Sequence, residues 1–367
     1  MGGSRIGKGE GGDGALGQWC DWKWHLRNRV RTLRQLADTM NLPVAAFASC
    51  RSVIGTYPFA ITPYYLSLLD VSDEGDPLRR QCFPDSRELD YSRGGVDDPL
   101  DEEGAMPVPG LIHRYPDRCL AIVTSDCAVY CRHCNRKRMW CRKNPGGTRE
   151  RLQVMVDYVA RTPALREVIV SGGDPLLLPE GLLDWFLGAL RAIPHLEVLR
   201  IGSRTPVTLP MRITAELCSM LGRHRPLWFN TQFNHSREIT AESSRACEML
   251  LTAGIPVSNQ SVLLAGVNDD YETMRALLTA LERISVRPYY LFQCDPVRGT
   301  DHFRVDVGKG MEIMEKLWRS VSGLCLPRYV LDCPGGRGKI PLQSFSLLPE
   351  GEAGKGKHSF DKTRRMD

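Results

Sequence analysis

Three cysteines close together are the residues of this sequence with the clearest chemistry. Cys127, Cys131 and Cys134 lie within eight residues, at spacings of four and three. A tetrahedral zinc site usually contains CxxC pairs and a fourth ligand at a fixed distance, and no such fourth ligand is obvious here. Three thiolates on one tight loop also fit a [4Fe–4S] cluster with one iron left open, because such clusters take cysteine ligands. An open iron can bind a small molecule and act on it.

The composition is that of a globular protein and argues against several other classes. The chain has 367 residues, 42% of them hydrophobic and 25% charged, with a net charge of +5. No basic stripe interleaved with aromatic residues accompanies this mild charge, so we expect no nucleic-acid partner. We see no apolar leader and no run of ~18 apolar residues, so we expect neither a signal peptide nor a membrane span. The 13 cysteines, an odd number, then favour a reducing cytoplasm.

The composition and the hydrophobic pattern change along the chain, and these changes predict five segments. They are a disordered Gly-rich leader over 1–17, a helical and irregular covering segment over 18–110, a partial barrel over 111–322, a C-terminal segment with a lysine loop over 323–347, and a disordered tail over 348–367. Within the covering segment, apolar residues at helical spacing from Trp22 to Leu36 predict one continuous helix face.

From residue 119, short apolar strands alternate with amphipathic helices. The predicted strands are Cys119–Thr124, Glu167–Ser171, Val198–Gly202, Trp228–Gln232, Ile255–Val262 and Tyr289–Cys294. The predicted helices are Arg149–Arg161, Glu180–Arg191, Ile213–Arg223, Glu242–Ala253, Tyr271–Arg283 and Gly308–Val321. Six successive βα units predict parallel strands and an α/β fold, a partial (β/α)6-type barrel. Chemistry in such folds takes place where the strands end, and the cysteine loop follows the first predicted strand.

Glycine and polar residues at other strand ends are candidates for ligand contacts. Ser171–Asp174 reads Ser-Gly-Gly-Asp. Its glycines would let backbone approach a ligand closely, with free N–H and C=O groups that can pair with polar atoms. Ser203 follows the third predicted strand, and Gln260 lies among polar residues within the fifth. The alternative for the glycine motif is an ordinary tight βα turn, and the motif alone leaves both interpretations open.

Lys339 follows the glycine-rich loop Pro-Gly-Gly-Arg-Gly. The loop is not a Walker A motif, because Cys333 stands where the first glycine belongs and Ile340 where Ser or Thr belongs. A lysine there could form a Schiff base with pyridoxal phosphate (PLP), whose phosphate Arg114 and Arg118 could bind. A solvated lysine is the alternative that the pattern alone favours.

Asp295 and Asp332 each end an apolar run. Their carboxylates would face the barrel mouth and could hold a cationic group by charge-assisted hydrogen bonds. Arg136, just after the cysteine loop, could hold a carboxylate at the opposite end. Together these residues describe a site for a basic amino acid. For either aspartate alone, a loop cap or a structural ion pair is the alternative.

The cysteine spacing resembles that of the radical S-adenosylmethionine (SAM) superfamily, and longer motifs resemble its PLP-dependent lysine 2,3-aminomutase family. The resemblance extends from about Trp19 to Pro341 and is far more specific than any single motif. The motifs are WKWHLRNR, PVPGLIHRYPDR, CAVYCRHCNRKR, VSGGDPLLL, RIGSRTPV, FNTQFNH, NQSVLLAGVND, VRPYYLFQCD, HFR and DCPGGRGK.

The resemblance implies a role for each candidate residue. The cluster ligands would be Cys127, Cys131 and Cys134. Residues near SAM would be His133, Ser171, Gly172, Gly173, Asp174 and Gln260. Gly202, Ser203 and Arg204, at the end of the third predicted strand, could contact SAM in the same way. Lys339 would bind PLP covalently, surrounded by Arg114, Tyr115 and Arg118. Substrate contacts would be Arg136 to the carboxylate and Asp295 and Asp332 to the ε-ammonium group of lysine.

The implied reaction moves the α-amino group of lysine from C2 to C3, giving β-lysine with SAM regenerated. It needs a one-electron donor such as flavodoxin or ferredoxin, and a homo-oligomer is compatible with it. Two positions depart from the family. Asp270 stands where a partner cysteine is expected and no cysteine follows Cys333, so we expect no structural zinc. Gln232 replaces a histidine expected near SAM, which we expect to be a tolerated polar swap.

Several functions stay open at this point. The acidic pair favours a cationic substrate over glutamate, because like charges disfavour binding. Free lysine comes first, arginine second, since a guanidinium also suits two carboxylates. A lysine on a protein, as in the modification of elongation factor P, is a third choice. An Fe–S electron-transfer or redox-sensing protein that binds no PLP is the alternative from another class.

Overall fold

The computed structural model describes residues 13–140 and 147–342. The covering segment comes first and consists of short elements. Its helices are α1 (Asp13–Cys20), α2 (Trp22–Arg27), α3 (Leu33–Met40), α4 (Arg51–Thr56), α5 (Pro63–Leu66) and α6 (Pro77–Cys82), with 3-10 helices at Val44–Cys50 and Ser86–Leu89. In the part of the chain described, no helix has the length and apolar character needed to cross a bilayer.

The single helix face predicted from Trp22 to Leu36 is wrong. Helix α2 ends at Arg27, and Val30 then pairs with Ile61 as an isolated β-bridge. A new helix begins after Thr32, whose side chain accepts a hydrogen bond from the Gln35 backbone in a capping box. Local capping therefore overrides the apolar periodicity. Helix α1 reaches back to Asp13, inside the leader predicted over 1–17, and residues 1–12 and 343–367 lie outside the described ranges.

In the described part of the chain, nine strands form one sheet whose spatial order is the chain order. They are β1 (Leu111–Tyr115), β2 (Arg118–Thr124), β3 (Glu167–Gly172), β4 (Val198–Gly202), β5 (Leu227–Thr231), β6 (Val257–Leu263), β7 (Arg287–Gln293), β8 (Arg328–Asp332) and β9 (Lys339–Pro341). All pairs from β2 to β8 are parallel, whereas β1 and β9 join the two ends antiparallel. The predicted partial barrel is therefore confirmed, with one more parallel strand than expected.

The additional strand, β8, follows the last predicted βα unit. Its Tyr329 and Val330 are buried, which explains why this apolar run joins the sheet. The sheet thus continues past residue 322, where a separate C-terminal segment was expected to begin. The six predicted strands overlap β2 to β7, with ends shifted by at most two residues.

Helices cover the outer face of the sheet between successive strands. They are α7 (Arg149–Ala160), α8 (Glu180–Arg191), the short α9 (Thr205–Thr208), α10 (Ala215–Gly222), α11 (Ala241–Thr252), α12 (Tyr271–Arg283) and α13 (Val307–Trp318). Each long helix buries an apolar stripe, as α8 does with Leu183, Phe186, Leu187 and Leu190. The six predicted helices are confirmed, with ends displaced by at most three residues.

A buried ion network joins the covering segment to the cysteine loop. Glu88, from the 3-10 helix Ser86–Leu89, accepts hydrogen bonds from Arg132 Nη2 at 2.6 Å and Lys137 Nζ at 2.7 Å. The three side chains are at most 1% exposed. Arg132 also donates to the carbonyls of Pro58 and Tyr57, and Lys137 to that of Gly299. Buried charges are tolerated only when paired and fully hydrogen-bonded, and this network meets that condition.

Replacing Glu88 with glutamine tests how far this network stabilises the fold. We expect E88Q to lower the free energy of unfolding by about 3–5 kcal/mol, because two buried cations lose their counter-charge. Urea denaturation of the purified protein measures this. Glu197→Gln is the matched control, since Glu197 pairs with Arg166 on the surface and its loss should change stability little. Equal stabilities for E88Q and the wild type would contradict the role given to Glu88.

Candidate active site

A cavity of about 590 Å³ lies on the inner face of the sheet, toward the carboxyl ends of the parallel strands. Its wall contains residues from strands β1 to β9 and from the cysteine loop. Every residue predicted for the site lines it. They are Arg114, Tyr115, Arg118, Cys127, Cys131, His133, Cys134, Arg136, Ser171, Gly172, Gly173, Asp174, Ser203, Gln260, Asp295, Asp332 and Lys339. Residues more than 200 positions apart in sequence are thus brought to one place.

The three cysteines of the loop line this cavity as free thiols. Burial, followed by the neighbouring cysteines, raises the pKa of Cys127, and the same causes raise that of Cys134 to about 11. Burial therefore favours the protonated form of Cys127 and Cys134. In the described ranges no three His, Cys, Asp or Glu side chains converge to hold one metal ion. Three cysteine sulfurs are the kind of donor that an iron–sulfur cluster takes, so the loop fits a cluster of several irons.

The loop is also anchored by arginines. Arg29 Nη1 donates to the Cys127 carbonyl. Arg204, in the cavity wall, donates from Nη1 to Cys131 Sγ at 2.8 Å. The backbone N–H of Arg136 points to Cys134 Sγ at 3.3 Å. The thiols are thus positioned by surrounding protein before any cluster binds.

The Ser-Gly-Gly-Asp turn contributes close backbone packing. The N–H of Gly173 donates to the Thr124 carbonyl at 2.6 Å, and that of Asp174 to the Asp126 carbonyl at 2.7 Å. A Cβ at Gly173 would lie 2.3 Å from the Asp126 oxygen. These two N–H groups are therefore not free for a ligand, whereas contact through the C=O groups of the turn stays a prediction. The glycines also let β3 pack closely against the segment that leads from β2 into the cysteine loop.

Asp174 and Ser203 join the ends of two neighbouring strands. Ser203 Oγ donates to Asp174 Oδ1 at 2.7 Å, and the backbone N–H of Arg204 donates to Asp174 Oδ2 at 3.0 Å. Among the polar residues of β6, only Gln260 lines the cavity, whereas Asn259 and Ser261 bond the backbone of Phe233. The alternation of side chains along a strand explains this division.

His133 has one nitrogen engaged and one unpaired. Asn234 Nδ2 lies 3.3 Å from His133 Nε2, and Asn234 Oδ1 already accepts from the Val262 backbone. The Asn234 amide therefore presents its NH2 group, so Nε2 must accept and Nδ1 must carry the proton. Gln232, in place of the expected histidine, also contacts Nε2, at 3.2 Å. Nδ1 is buried without a partner in the described structure, which leaves a donor for a bound ligand.

A hairpin fixes Lys339 at the cavity wall. Strands β8 and β9 pair antiparallel, so that Asp332 lies directly opposite Lys339. Lys339 Nζ contacts Asp332 Oδ1 at 3.1 Å and the Tyr115 hydroxyl at 3.4 Å. The turn between the strands contains Gly335 at φ 68° and Gly338 at φ 98°, conformations that favour glycine. The glycine loop is therefore a turn with a defined backbone conformation.

The residues around Lys339 fit PLP. The Arg118 guanidinium lies 3.7 Å from the centre of the Tyr115 ring, and Lys339 Nζ lies 5.5 Å from it. Arg114 contacts Asp332 at 3.6 Å, and its buried Nε has no hydrogen-bond partner in the described structure. A lysine amine, an aromatic ring and two guanidinium groups at one wall match an aldehyde with a phosphate.

Arg136 is held by a residue that the sequence did not reveal. Glu102 is 4% exposed and accepts from Arg136 Nε and Nη2, the latter at 2.7 Å. Arg136 Nη1 makes no hydrogen bond within the described structure, so it is left for a ligand. Glu102 belongs to the acidic run Asp101-Glu102-Glu103, which looks like a solvated turn in the sequence.

Asp332 lies close enough to Asp295 to affect the charge of Asp295. Burial first, and then the charge of Asp332, raises the pKa of Asp295 to about 7. Asp295 in turn favours the charged form of Arg136, although no ion pair joins the two side chains in the described structure. Arg136 and the acidic pair are thus near each other without touching. All three side chains line the same cavity, and their placement at opposite ends of a bound substrate stays a prediction.

Comparison with known proteins agrees with this geometry. Residues 121–278 match the model of the Radical SAM superfamily. The barrel and its cysteine loop therefore define a radical SAM enzyme. The L-lysine 2,3-aminomutase of Acetoanaerobium sticklandii is 49% identical over 332 residues, covering 90% of this chain and 80% of that protein. The enzyme of the same name from Bacillus subtilis is 47% identical, with 91% and 71% covered.

The chain belongs to the lysine 2,3-aminomutase family, as the sequence predicted. It is therefore an isomerase whose family cofactors are a [4Fe–4S] cluster, SAM and PLP. The glutamate 2,3-aminomutase of Clostridioides difficile is also similar, at 41% identity with 92% of this chain and 80% of that protein covered. Overall identity thus identifies an amino acid substrate, and the choice among amino acids depends on the side chains of the site.

The packing of the glycine turn gives a prediction about the cluster. We expect G173A to bind less iron after anaerobic reconstitution, because its Cβ would collide with backbone at Asp126 and displace the cysteine loop. Iron analysis and the absorbance of the cluster measure this. Gly181→Ala is the control, since nothing lies within 4 Å of a Cβ there. Full iron content in G173A would show that the close packing does not position the loop.

Proposed function

We propose that the protein interconverts L-lysine and β-lysine by moving the α-amino group from C2 to C3. The observation that carries this proposal is the charge pattern of the cavity. Two carboxylates, Asp295 and Asp332, lie near Arg136 and beside Lys339. An amino acid with a cationic side chain is complementary to that arrangement, because its carboxylate and its far ammonium meet groups of opposite charge.

The chain's own residues bind and orient the substrate. Arg136 is pinned by Glu102 and offers Nη1 to the carboxylate of lysine. Asp295 and Asp332 accept hydrogen bonds from the ε-ammonium group. In the structure the Lys339 ammonium contacts Asp332, in the place that we give to the substrate cation. Covalent use of the Lys339 amine would release Asp332 for that substrate cation.

We further propose which residues hold the cofactors. The cluster would be bound by Cys127, Cys131 and Cys134. SAM would lie beside His133, Ser203, Gln260 and the turn formed by Ser171, Gly172, Gly173 and Asp174. PLP would be held by Lys339, Arg114, Tyr115 and Arg118. When bound, these groups supply the one-electron hydrogen abstraction and the carrier for the migrating nitrogen, while the protein positions them and excludes water.

A free amino acid fits the site better than a lysine on a protein. The covering segment lies across the end of the barrel, where Val96 pairs with Val297 and the Gly335 N–H donates to the Pro99 carbonyl. Leu100 and Glu102 of the same segment line the cavity. A segment held at both β7 and β8 leaves little room for a protein substrate. Glutamate fits less well than lysine, because its side chain would meet two carboxylates.

The reaction needs one electron from outside. We propose a small donor such as flavodoxin or ferredoxin as its source, and a reducing cytoplasm as the compartment in which free thiols and an oxygen-sensitive cluster persist.

A side-by-side assay tests the substrate. The reconstituted enzyme with PLP, SAM and dithionite is given lysine, arginine or glutamate, and β-amino acids are identified by mass spectrometry. We expect product from lysine, for the charge reasons above. Product from arginine alone would keep the reaction and the cation-binding role of the acidic pair, but it would contradict lysine as the substrate. Product from glutamate would contradict the proposed substrate pocket.

The raised pKa of Asp295 gives a second prediction. Below pH 7 this carboxyl carries a proton and is neutral, whereas binding of a cation requires its charge. We therefore expect lysine affinity to rise between pH 6 and pH 8, with release of about one proton on binding at pH 6. Calorimetry of lysine binding without SAM, in buffers of different ionisation heat, measures this. Asp295→Asn should lose the proton release; unchanged release in D295N would contradict the assignment.

A further inference from the structure

We propose that Arg204 sets the reduction potential of the iron–sulfur cluster by donating a hydrogen bond to the Cys131 sulfur. This inference rests on the proposed role of Cys131 as a cluster ligand. It gives Arg204 a positioning and electrostatic role toward the cluster itself.

Arg204 is held in place independently of the sulfur. It follows β4, and its side chain is 8% exposed. Nε donates to the Gln232 carbonyl at 3.0 Å, and Nη2 donates to Gln81 Oε1 at 2.5 Å and Glu238 Oε1 at 2.7 Å. Nη1 then points to Cys131 Sγ at 2.8 Å. Three oxygens from different parts of the chain thus aim the guanidinium at this one thiol.

Glu238, which supplies the counter-charge of Arg204, is also held by several hydrogen bonds. Glu238 is fully buried and also accepts from the Tyr65 hydroxyl and from the backbone N–H groups of Asn234 and His235. Glu238 therefore keeps hydrogen bonds when Arg204 is changed. Within the described structure, Cys131 is the loop cysteine whose sulfur meets a charged donor, whereas Cys134 meets a backbone N–H.

The chemical consequence follows from the charge of the cluster. Reduction adds one electron to a cluster bound by thiolates, and a cation or an N–H donor at a ligand sulfur stabilises the added negative charge. In a buried site this stabilisation is little screened by water. Arg204 should therefore raise the potential and bring the reduced cluster within reach of a one-electron donor.

Potentiometric titration of the reconstituted enzyme tests this. The cluster is reduced with dithionite in the absence of SAM and followed by electron paramagnetic resonance. We expect R204Q to make reduction at least tenfold less favourable, which is a midpoint about 59 mV more negative for one electron. R204K, which keeps the charge and loses the fixed fork, should lie between R204Q and the wild type. Omission of SAM removes any effect through contact with SAM.

Arg212→Gln is the matched control. Arg212 is also fully buried, but it bonds the Leu176 carbonyl and Glu180 and touches no cysteine. The reduction potential of the cluster in R212Q should equal that of the wild type. If R204Q keeps full iron and an unchanged potential, or if R212Q shifts equally, the inference is overturned.

A second variant covers the case in which R204Q fails to bind the cluster. Glu238→Gln keeps Arg204 and removes its counter-charge, so the potential should rise; no change or a fall would overturn the inference. Cys131→Ala tests the underlying assignment separately. A full cluster in C131A would contradict the proposed ligand set, whereas loss of the cluster in C131A with an unshifted R204Q would contradict only the role of Arg204.

Discussion

The interaction on which the site most depends is the buried ion network of Glu88 with Arg132 and Lys137. Arg132 lies between Cys131 and Cys134, and Lys137 follows Arg136, so one carboxylate holds the chain on both sides of Cys134. Because all three charges are removed from water, each requires the others. This constraint explains why an irregular covering segment is present at all. It supplies the counter-charge that a loop carrying cluster ligands and a substrate arginine needs.

From that anchor, the cavity is built by a small number of backbone contacts. Gly173 brings β3 against the start of the cysteine loop, and Asp174 fastens the end of β4 through Ser203. On the other side the β8–β9 hairpin places Lys339 opposite Asp332. The cluster side and the lysine side are thus opposite edges of one sheet that curves round a common space. A reaction that requires two cofactors at one substrate needs this proximity.

The sequence predicted the barrel and the cavity-lining residues because both depend on patterns that local physics sets. Alternating strands and helices define the parallel sheet, and strand ends define its mouth. It did not predict the break of the first helix, where the Thr32 cap overrides an apolar stripe. The sequence also did not predict the roles of Glu102 and Glu88. A charged residue in a turn-rich segment is expected to be exposed to solvent unless its partner from elsewhere in the chain is known. The pairing of two N–H groups at the glycine turn was not predicted for a related reason, because their acceptors lie about 50 residues upstream.

We propose that the enzyme moves nitrogen within one lysine molecule, from C2 to C3. The most direct measurement gives the reconstituted enzyme lysine labelled with nitrogen-15 at the α-amino group and locates the label by nuclear magnetic resonance. We predict label at C3 of the product and none lost as ammonia, with no transfer in Lys339→Ala. Label that stays at C2 in the wild type, or that appears in free ammonia, would contradict it.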